Sequence, residues 1–289
     1  MNYIWHIGVM IGLYVLLASS LNLVVGYTGL MSLCHAAFYG IGAYTTTLLM
    51  INTGWNFFPA LIAGVMISIC LSLVIGVPSL RLRGDYFVLA TLGFQVIVFS
   101  ILYNWTDFTN GSYGISGIPI PRFGMLKIET PAQYFWFSWV FVVIGLALIC
   151  LIARSPFGRT LKAVRDDEIA AGALGKNIPL LKILAFVIAA AFAAIPGGLF
   201  AGYMRFIDPT SFTIMESIFI LSIVVIGGAG NLIGPILGAV FLVVLPETLR
   251  FLHIPDEAAA SLRQIIYGLM LVALMLFRPQ GIKGDYKFE

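Results

Sequence analysis

The sequence predicts an all-α, polytopic membrane helix bundle, and three observations carry that reading. Of 289 residues, 60% are hydrophobic and only 10% charged, where soluble domains carry roughly a quarter charged residues. The mean hydropathy is +1.01. Residues 1 to 80 contain no Lys, Arg, Asp or Glu, so this stretch cannot build the charged shell of a water-soluble surface. The whole of 1–289 is read as one transmembrane domain with a single large polar loop at 154–182.

A helix needs about 20 apolar residues to cross the hydrocarbon layer. Taken in order, the apolar runs place spans near 4–24, 29–51, 59–79, 86–103 and 135–153, then 183–204, 214–230, 234–252 and 262–277. That makes about nine crossings, in a range of 8 to 10. The first basic residue is Arg81, so the opening apolar run lacks the basic region of a cleavable signal and is expected to be retained. Orientation follows the short basic loops. Residues 154–182 carry six basic side chains against Asp166, Asp167 and Glu168, and the tail carries Arg278, Lys283 and Lys287. Both are therefore expected inside. The turn from Arg81 to Asp85 then falls inside, and Met1 and the loop 104–134 fall outside.

Several spans are not plain rods. Span 6 holds Pro196-Gly197-Gly198 at its middle, and span 2 holds Gly40 and Gly42 among Ser, Thr, His and Tyr. Either the helices kink and pack closely through these residues, or they break and line a pathway where freed backbone groups are satisfied. Small residues four apart, such as Gly8 with Gly12 and Gly230 with Gly234, suit close helix approach in a compact bundle. Gly26-Tyr27-Thr28-Gly29 also echoes Gly227-Gly228-Ala229-Gly230, as an internal repeat or as a coincidence in a Gly-rich chain.

Composition excludes some functions. Sixteen basic residues against thirteen acidic, scattered along the chain, do not make the clustered footprint of a nucleic-acid binder. Cys34, Cys70 and Cys150 are odd in number and sit in apolar runs, so they are read as small buried hydrophobes rather than a disulfide framework or metal site. A transport subunit, an intramembrane enzyme and a receptor or structural protein remain. Ser32 and His35 share an i, i+3 spacing, the best hint of a hydrolase. However, no Gly-x-Ser-x-Gly turn surrounds Ser32 and no carboxylate lies in the first two spans to orient the imidazole. Leu174-Gly175-Lys176-Asn177 lacks the upstream Gly and the hydroxyl residue of a phosphate-binding loop. Any ATP-driven work is therefore expected from a partner.

His35 lies among Asn22, Thr28, Ser32, Tyr39, Tyr44 and Thr45. Either it is a neutral imidazole hydrogen-bonded within the bundle, or it belongs to the polar lining of a route through the membrane. The candidates for such a lining are Asn22, Thr28, Ser32, His35 and Tyr39, with Thr91 and Gln95 of the fourth span. Glu216 and Glu247 stand near span ends, where snorkelling is expected. In the polar loop Pro156 suits a helix start, and Leu161, Val164, Ala171 and Leu174 fall at helical spacings between charges. The loop either only sets topology or offers an apolar stripe, Phe157 included, that a partner covers.

The chain resembles the LivM-type permeases of ATP-binding-cassette importers for branched-chain amino acids. The resemblance rests on Leu21-Asn22-Leu23, Gly26 to Leu30, Ser32 to Tyr44, Leu80 to Tyr86, Thr91-Leu92-Gly93, Ser155 to Arg159, Gly227 to Pro235 and Phe277 to Gly281. It implies a heterodimer with a LivH-like permease, two cytoplasmic ATPase subunits that use the ATP, and a periplasmic or lipid-anchored binding protein. It further implies a bacterial inner membrane, a periplasmic N-terminus and no cofactor or metal on this chain. The residues it marks for ATPase coupling are Pro156, Phe157, Gly158, Arg159, Leu161, Val164, Arg165, Glu168, Ala171 and Gly175. Importers of urea and short amides use closely related permeases. Three departures stand out: Cys34 where the family usually has Gly, no further span ahead of residue 4, and Ile169 interrupting a Glu-Ala-Ala pattern.

Overall fold

The computed structural model describes residues 2–80, 82, 84–123, 126–128, 130–250, 268, 269, 272 and 281–283. The helices are α1 (Asn2–Thr28), α2 (His35–Asn52), α3 (Phe57–Ser79), α4 (Asp85–Asn104), α5 (Thr106–Thr109), α6 (Pro131–Arg154), α7 (Pro156–Asp166), α8 (Glu168–Ala173), α9 (Ile178–Met204), α10 (Ile214–Gly227) and α11 (Ile233–Arg250). Eight of the expected spans thus appear as helices in an all-α bundle. The ninth, near 262–277, lies outside the described residues apart from three positions, as do Arg81, Arg83 and residues 277–280 of the closing motif. Among the described helices, α1, α3, α4, α6 and α9 are long and apolar enough to cross a membrane.

The centre of the bundle is built from α1, α2 and α9. All of α1 from Val15 to Thr28 is buried, and α2 is buried along most of its length. No hydrophobic driving force acts between helices in lipid, so close packing must hold them. A Cβ on Gly42 would run into the backbone of Ala194, and one on Gly197 into the Tyr39 carbonyl. Here α2 and α9 touch backbone to backbone. The choice left open for span 6 is settled by this packing: α9 runs unbroken through Pro196. Beside the seam, Phe38 and Phe87 meet the Phe186 ring edge-to-face, at centroid distances of 5.6 and 6.1 Å. Such pairs add roughly 0.5–1.5 kcal/mol each beyond buried area.

Two of the expected spans are shorter than their apolar runs. Gly29 (φ +73°) stops α1, and the chain turns back through residues 29–34 before α2 starts at His35. Arg205 (φ +57°) stops α9, and residues 205–213 turn back before α10 starts at Ile214. With 14 residues, α10 is only about 21 Å long at ~1.5 Å per residue, short of the ~30 Å hydrocarbon layer. The breaks therefore fall in these two re-entrant segments. The expected spans 29–51 and 214–230 are corrected accordingly.

One end of the bundle carries α7 and α8, with the end of α1, the start of α4 and the α10–α11 turn. Ile282 N donates to Ile226 O at 2.9 Å and Lys283 N to Gly227 O at 3.0 Å, which brings the tail to this same end. The far end carries residues 105–123, tied down where β1 (Ile115–Ser116) pairs antiparallel with β4 (Phe206–Ile207), Ile115 opposite Ile207. A second short ribbon, β2 (Arg122–Phe123) with β3 (Leu126–Lys127), belongs to the same loop. The segments expected on one side of the membrane thus share one end. Of the cysteines, Cys34 is buried, but Cys70 is exposed on the outer side of α3 and Cys150 is half-buried on α6. This corrects the buried reading for both, since apolar runs in a membrane helix face lipid as readily as core.

Candidate functional site

The polar candidates converge where the two re-entrant segments meet. The Ala36 amide, at the start of α2, donates to Ser217 Oγ at 3.0 Å, and Ser217 Oγ donates to Gln95 Oε1 at 3.1 Å. Gln95 Nε2 donates to the Phe212 carbonyl at 2.8 Å. This buried chain fastens the starts of α2 and α10 to the middle of α4. Leu33 N donates to Thr91 Oγ1 at 3.2 Å, and that hydroxyl in turn donates to Val88 O at 2.9 Å. One amide of the non-helical 29–34 backbone is thus satisfied by a side chain, of the kind that membrane burial calls for. Tyr39 packs edge-on against Phe212, with centroids 5.0 Å apart.

Ser32 and His35 do not form a pair. Ser32 Oγ lies 3.3 Å from Cys34 Sγ, while His35 Nε2 lies 2.7 Å from Ser20 Oγ, whose proton goes to Leu17 O at 2.8 Å. The hydroxyl that meets His35 is thus Ser20, already engaged with the Leu17 carbonyl, and not Ser32. Of the two readings of His35, the structure shows the hydrogen-bonded one. Ser20 and Ser217 were not singled out from sequence, because nothing local marks a serine whose partner lies 15 or 181 residues away. Glu216 was placed at a span end, and this is corrected. It lies in the first turn of the half-helix α10 and accepts from Tyr14 Oη at 2.7 Å, against the middle turns of α1. The helix N-terminus favours a carboxylate at that position. A lone acid inside an apolar run was the available signal.

At the loop end, Ser155 caps α7 by accepting from Gly158 N at 3.4 Å, with Pro156 in the first turn. A Cβ on Gly158 would strike the Ala153 carbonyl, so the tight turn from α6 needs glycine there. Asp167 caps α8, accepting from Ile169 N and Ala170 N at 2.9 Å each. The apolar stripe expected to await a partner is corrected in part. Leu161, Val164 and Ala171 are buried in this chain itself, and Phe157 packs beside Leu161 on the cluster of Leu23, Tyr27, Ala153 and Ala185. These residues fill the fold because α1, α6 and α9 leave a matching apolar notch. The exposed apolar groups are Ile169, 87% exposed, and Leu174, 80% exposed, with Arg159, Glu168 and Gly175 also open to solvent.

Between this loop and the bundle lies a cavity of about 840 Å³, lined by Thr28, Gly29, Asp85, Arg165, Glu168 and Lys182 among others. Lys182 pairs with Glu168, bridging α9 to α8. Lys162 lies 5.0 Å from the centroid of the Tyr27 ring, within cation–π range. Asn22 holds the neighbouring turn with both ends of its amide: Nδ2 donates to Asn231 O at 2.9 Å, and Oδ1 accepts from Gly230 N at 3.0 Å. Of the path candidates, Thr28 lines the cavity, and Asn22, Thr91, Gln95 and His35 brace the segments above it.

Comparison with known proteins adds a lineage to this geometry. The chain is 39% identical to the high-affinity branched-chain amino acid transport system permease protein LivM of Salmonella typhimurium, over 96% of this chain and 69% of that protein. It is 40% identical to LivM of Escherichia coli, over 93% of this chain and 67% of that protein. The autoinducer 2 import system permease protein LsrC of Salmonella paratyphi B is 30% identical, over 79% of this chain and 64% of that protein. No protein of solved structure matches. Residues 3–275 match the family described as the permease component of branched-chain amino acid transport systems. The chain belongs to that family.

Proposed function

We propose that this chain is the membrane-spanning permease half of an ATP-driven importer for leucine, isoleucine and valine. The observation that carries the reading is the 39–40% identity to two LivM proteins along nearly the whole chain, above the 30% to an autoinducer 2 permease. In this reading the loop end faces the cytoplasm of a bacterial inner membrane, in keeping with its basic residues, and the N-terminus faces the periplasm. A second, LivH-like permease completes the route. A binding protein delivers the amino acid, and two ATPase subunits dock on the exposed face of α7 and α8 at Arg159, Ile169 and Leu174. No cofactor is assigned to this chain, and the ATP is used by the ATPase subunits.

The geometry supports alternating access. The two re-entrant segments, 29–34 and 205–213, bring the starts of α2 and α10 together inside the bundle, and discontinuous helices of this kind line substrate sites in transporters. Thr28 lines the cavity below them, Asn22, His35, Thr91 and Gln95 brace them, and Ser32 and Tyr39 are the remaining candidates for a polar wall. ATP-driven closure of the ATPases would shift α7 and α8 and rock the half-helices past α1 and α9. A zwitterion crosses because its charges are met by polar groups that hold it weakly enough to let go. The test is ATP hydrolysis by the assembled complex with binding protein and each of leucine, valine, urea and autoinducer 2. Stimulation by leucine and valine supports the reading; stimulation by urea or autoinducer 2 alone, or by none, refutes it.

A further inference from the structure

Arg165 is among the residues the resemblance marks for ATPase coupling, yet its side chain is only 7% exposed and points away from the open face of α7, so it cannot act by touching an ATPase. Its Nη1 donates to the Gly26 carbonyl at 2.7 Å, while Nε donates to Asp166 Oδ1 at 2.9 Å. Gly26 lies in the last turn of α1, where a carbonyl has no intrahelical amide to accept from. Gly29 N bonds back to Val25 O, and the chain then leaves the helix. A guanidinium at this spot satisfies the orphaned carbonyl and complements the negative end of the helix dipole.

The contact reaches further than one helix. A Cβ on Gly26 would collide with Gly230 N and with the Asn22 side chain, so the end of α1 and the α10–α11 turn lie against each other without side chain between them. Asn22, one turn earlier, grips Gly230 and Asn231, and the tail bonds to Ile226 and Gly227 on the other side of that turn. The two glycine motifs that echo each other in sequence are thus touching partners. Thr28, two residues beyond Gly26, leads directly into the re-entrant segment 29–34.

Building on the importer reading above, we propose that Arg165 is the positioning residue that transmits movement of the ATPase-docked loop to both broken helices, through the Gly26 carbonyl. The loop also touches the bundle through the buried Leu161 and Val164, through Lys162 over the Tyr27 ring and through the Lys182–Glu168 pair, all of them contacts between side chains. The guanidinium bond instead grips backbone, is directional and shielded from water, and sits where the end of α1 meets the α10–α11 turn. Lysine at this position offers a point charge without the planar fork. It should restore part of the function.

The experiment compares Arg165→Gln, Arg165→Lys and the parent chain in the assembled complex with its ATPases and binding protein, reconstituted in liposomes. Arg165→Gln should retain the ATPase subunits and their basal hydrolysis. It should lose about tenfold or more of the hydrolysis stimulated by loaded binding protein, and of uptake, as expected for one charge-assisted hydrogen bond. Arg165→Lys should recover an intermediate rate. Normal stimulation and uptake in Arg165→Gln would overturn the proposal, and so would loss of the ATPase subunits, which would make Arg165 part of the dock. Absence of uptake by the parent complex for every amino acid tried would instead count against the importer reading itself.

Discussion

Replacing Gln95 by Leu should destabilise the protein before it does anything else. Gln95 is fully buried, and the change removes the donor to Phe212 O and the acceptor from Ser217 Oγ while keeping nearly the same volume. In soluble cores a single orphaned polar group costs about 1–3 kcal/mol. Interhelical hydrogen bonds inside membranes average nearer ~0.6 kcal/mol, with a maximum of ~1.7. The membrane figure governs a residue at the middle of α4, so two lost bonds amount to about 1–3 kcal/mol. At roughly 2–4 °C per kcal/mol, the melting temperature in detergent should fall by about 2–12 °C. Ser217→Ala made in the parent and in the Gln95→Leu background closes a double-mutant cycle. The coupling energy should be about 0.6–1.7 kcal/mol, because the two side chains share one bond. Additive losses, or an unchanged melting temperature with a raised KM for uptake, would refute the brace and make Gln95 a direct substrate contact.

Four further outcomes are expected. With native cysteines replaced, a single cysteine at Lys162 or Lys283 should resist an impermeant thiol reagent in intact cells, and one at Tyr113 should react; labelling at 162 from outside would invert the topology. Ser32→Ala should keep most uptake, and a serine-hydrolase probe should leave the chain unlabelled; covalent capture of Ser32 would revive an enzymatic role. Ile169→Asp with Leu174→Asp should strip the ATPase subunits from the purified complex by about tenfold or more, the effect of losing interface anchors. Phe157→Ala should instead lower thermal stability, since its ring packs within this chain.

Much of the fold was legible because a membrane allows few solutions. Every backbone group in lipid must be satisfied locally, so hydropathy alone located the spans that became α1, α3, α4, α6 and α9. The breaks were harder to read. Gly29 and the run Gly227-Gly228 were visible as punctuation, but the depth at which α2 and α10 begin depends on Ala36 meeting Ser217 and on Gln95 meeting Phe212, across separations of 181 and 117 residues. The loop shows the opposite case. Its amphipathic pattern gave α7 correctly from Pro156 onward, yet pattern cannot say what covers an apolar stripe. Leu161 turned inward because Leu23, Tyr27 and Ala185 form a notch for it, Val164 is buried as well, and the open apolar surface moved to Ile169 and Leu174.

The most direct measurement is the initial rate of labelled leucine accumulation in liposomes holding this chain, its partner permease and the ATPases, with ATP and magnesium on the ATPase side and binding protein on the other. Accumulation against a gradient that requires ATP, is competed by isoleucine and valine, and stops when the ATPases carry an inactivating change is the expected result. Equal leucine levels on both sides with and without ATP, or uptake that urea competes and valine does not, would contradict it.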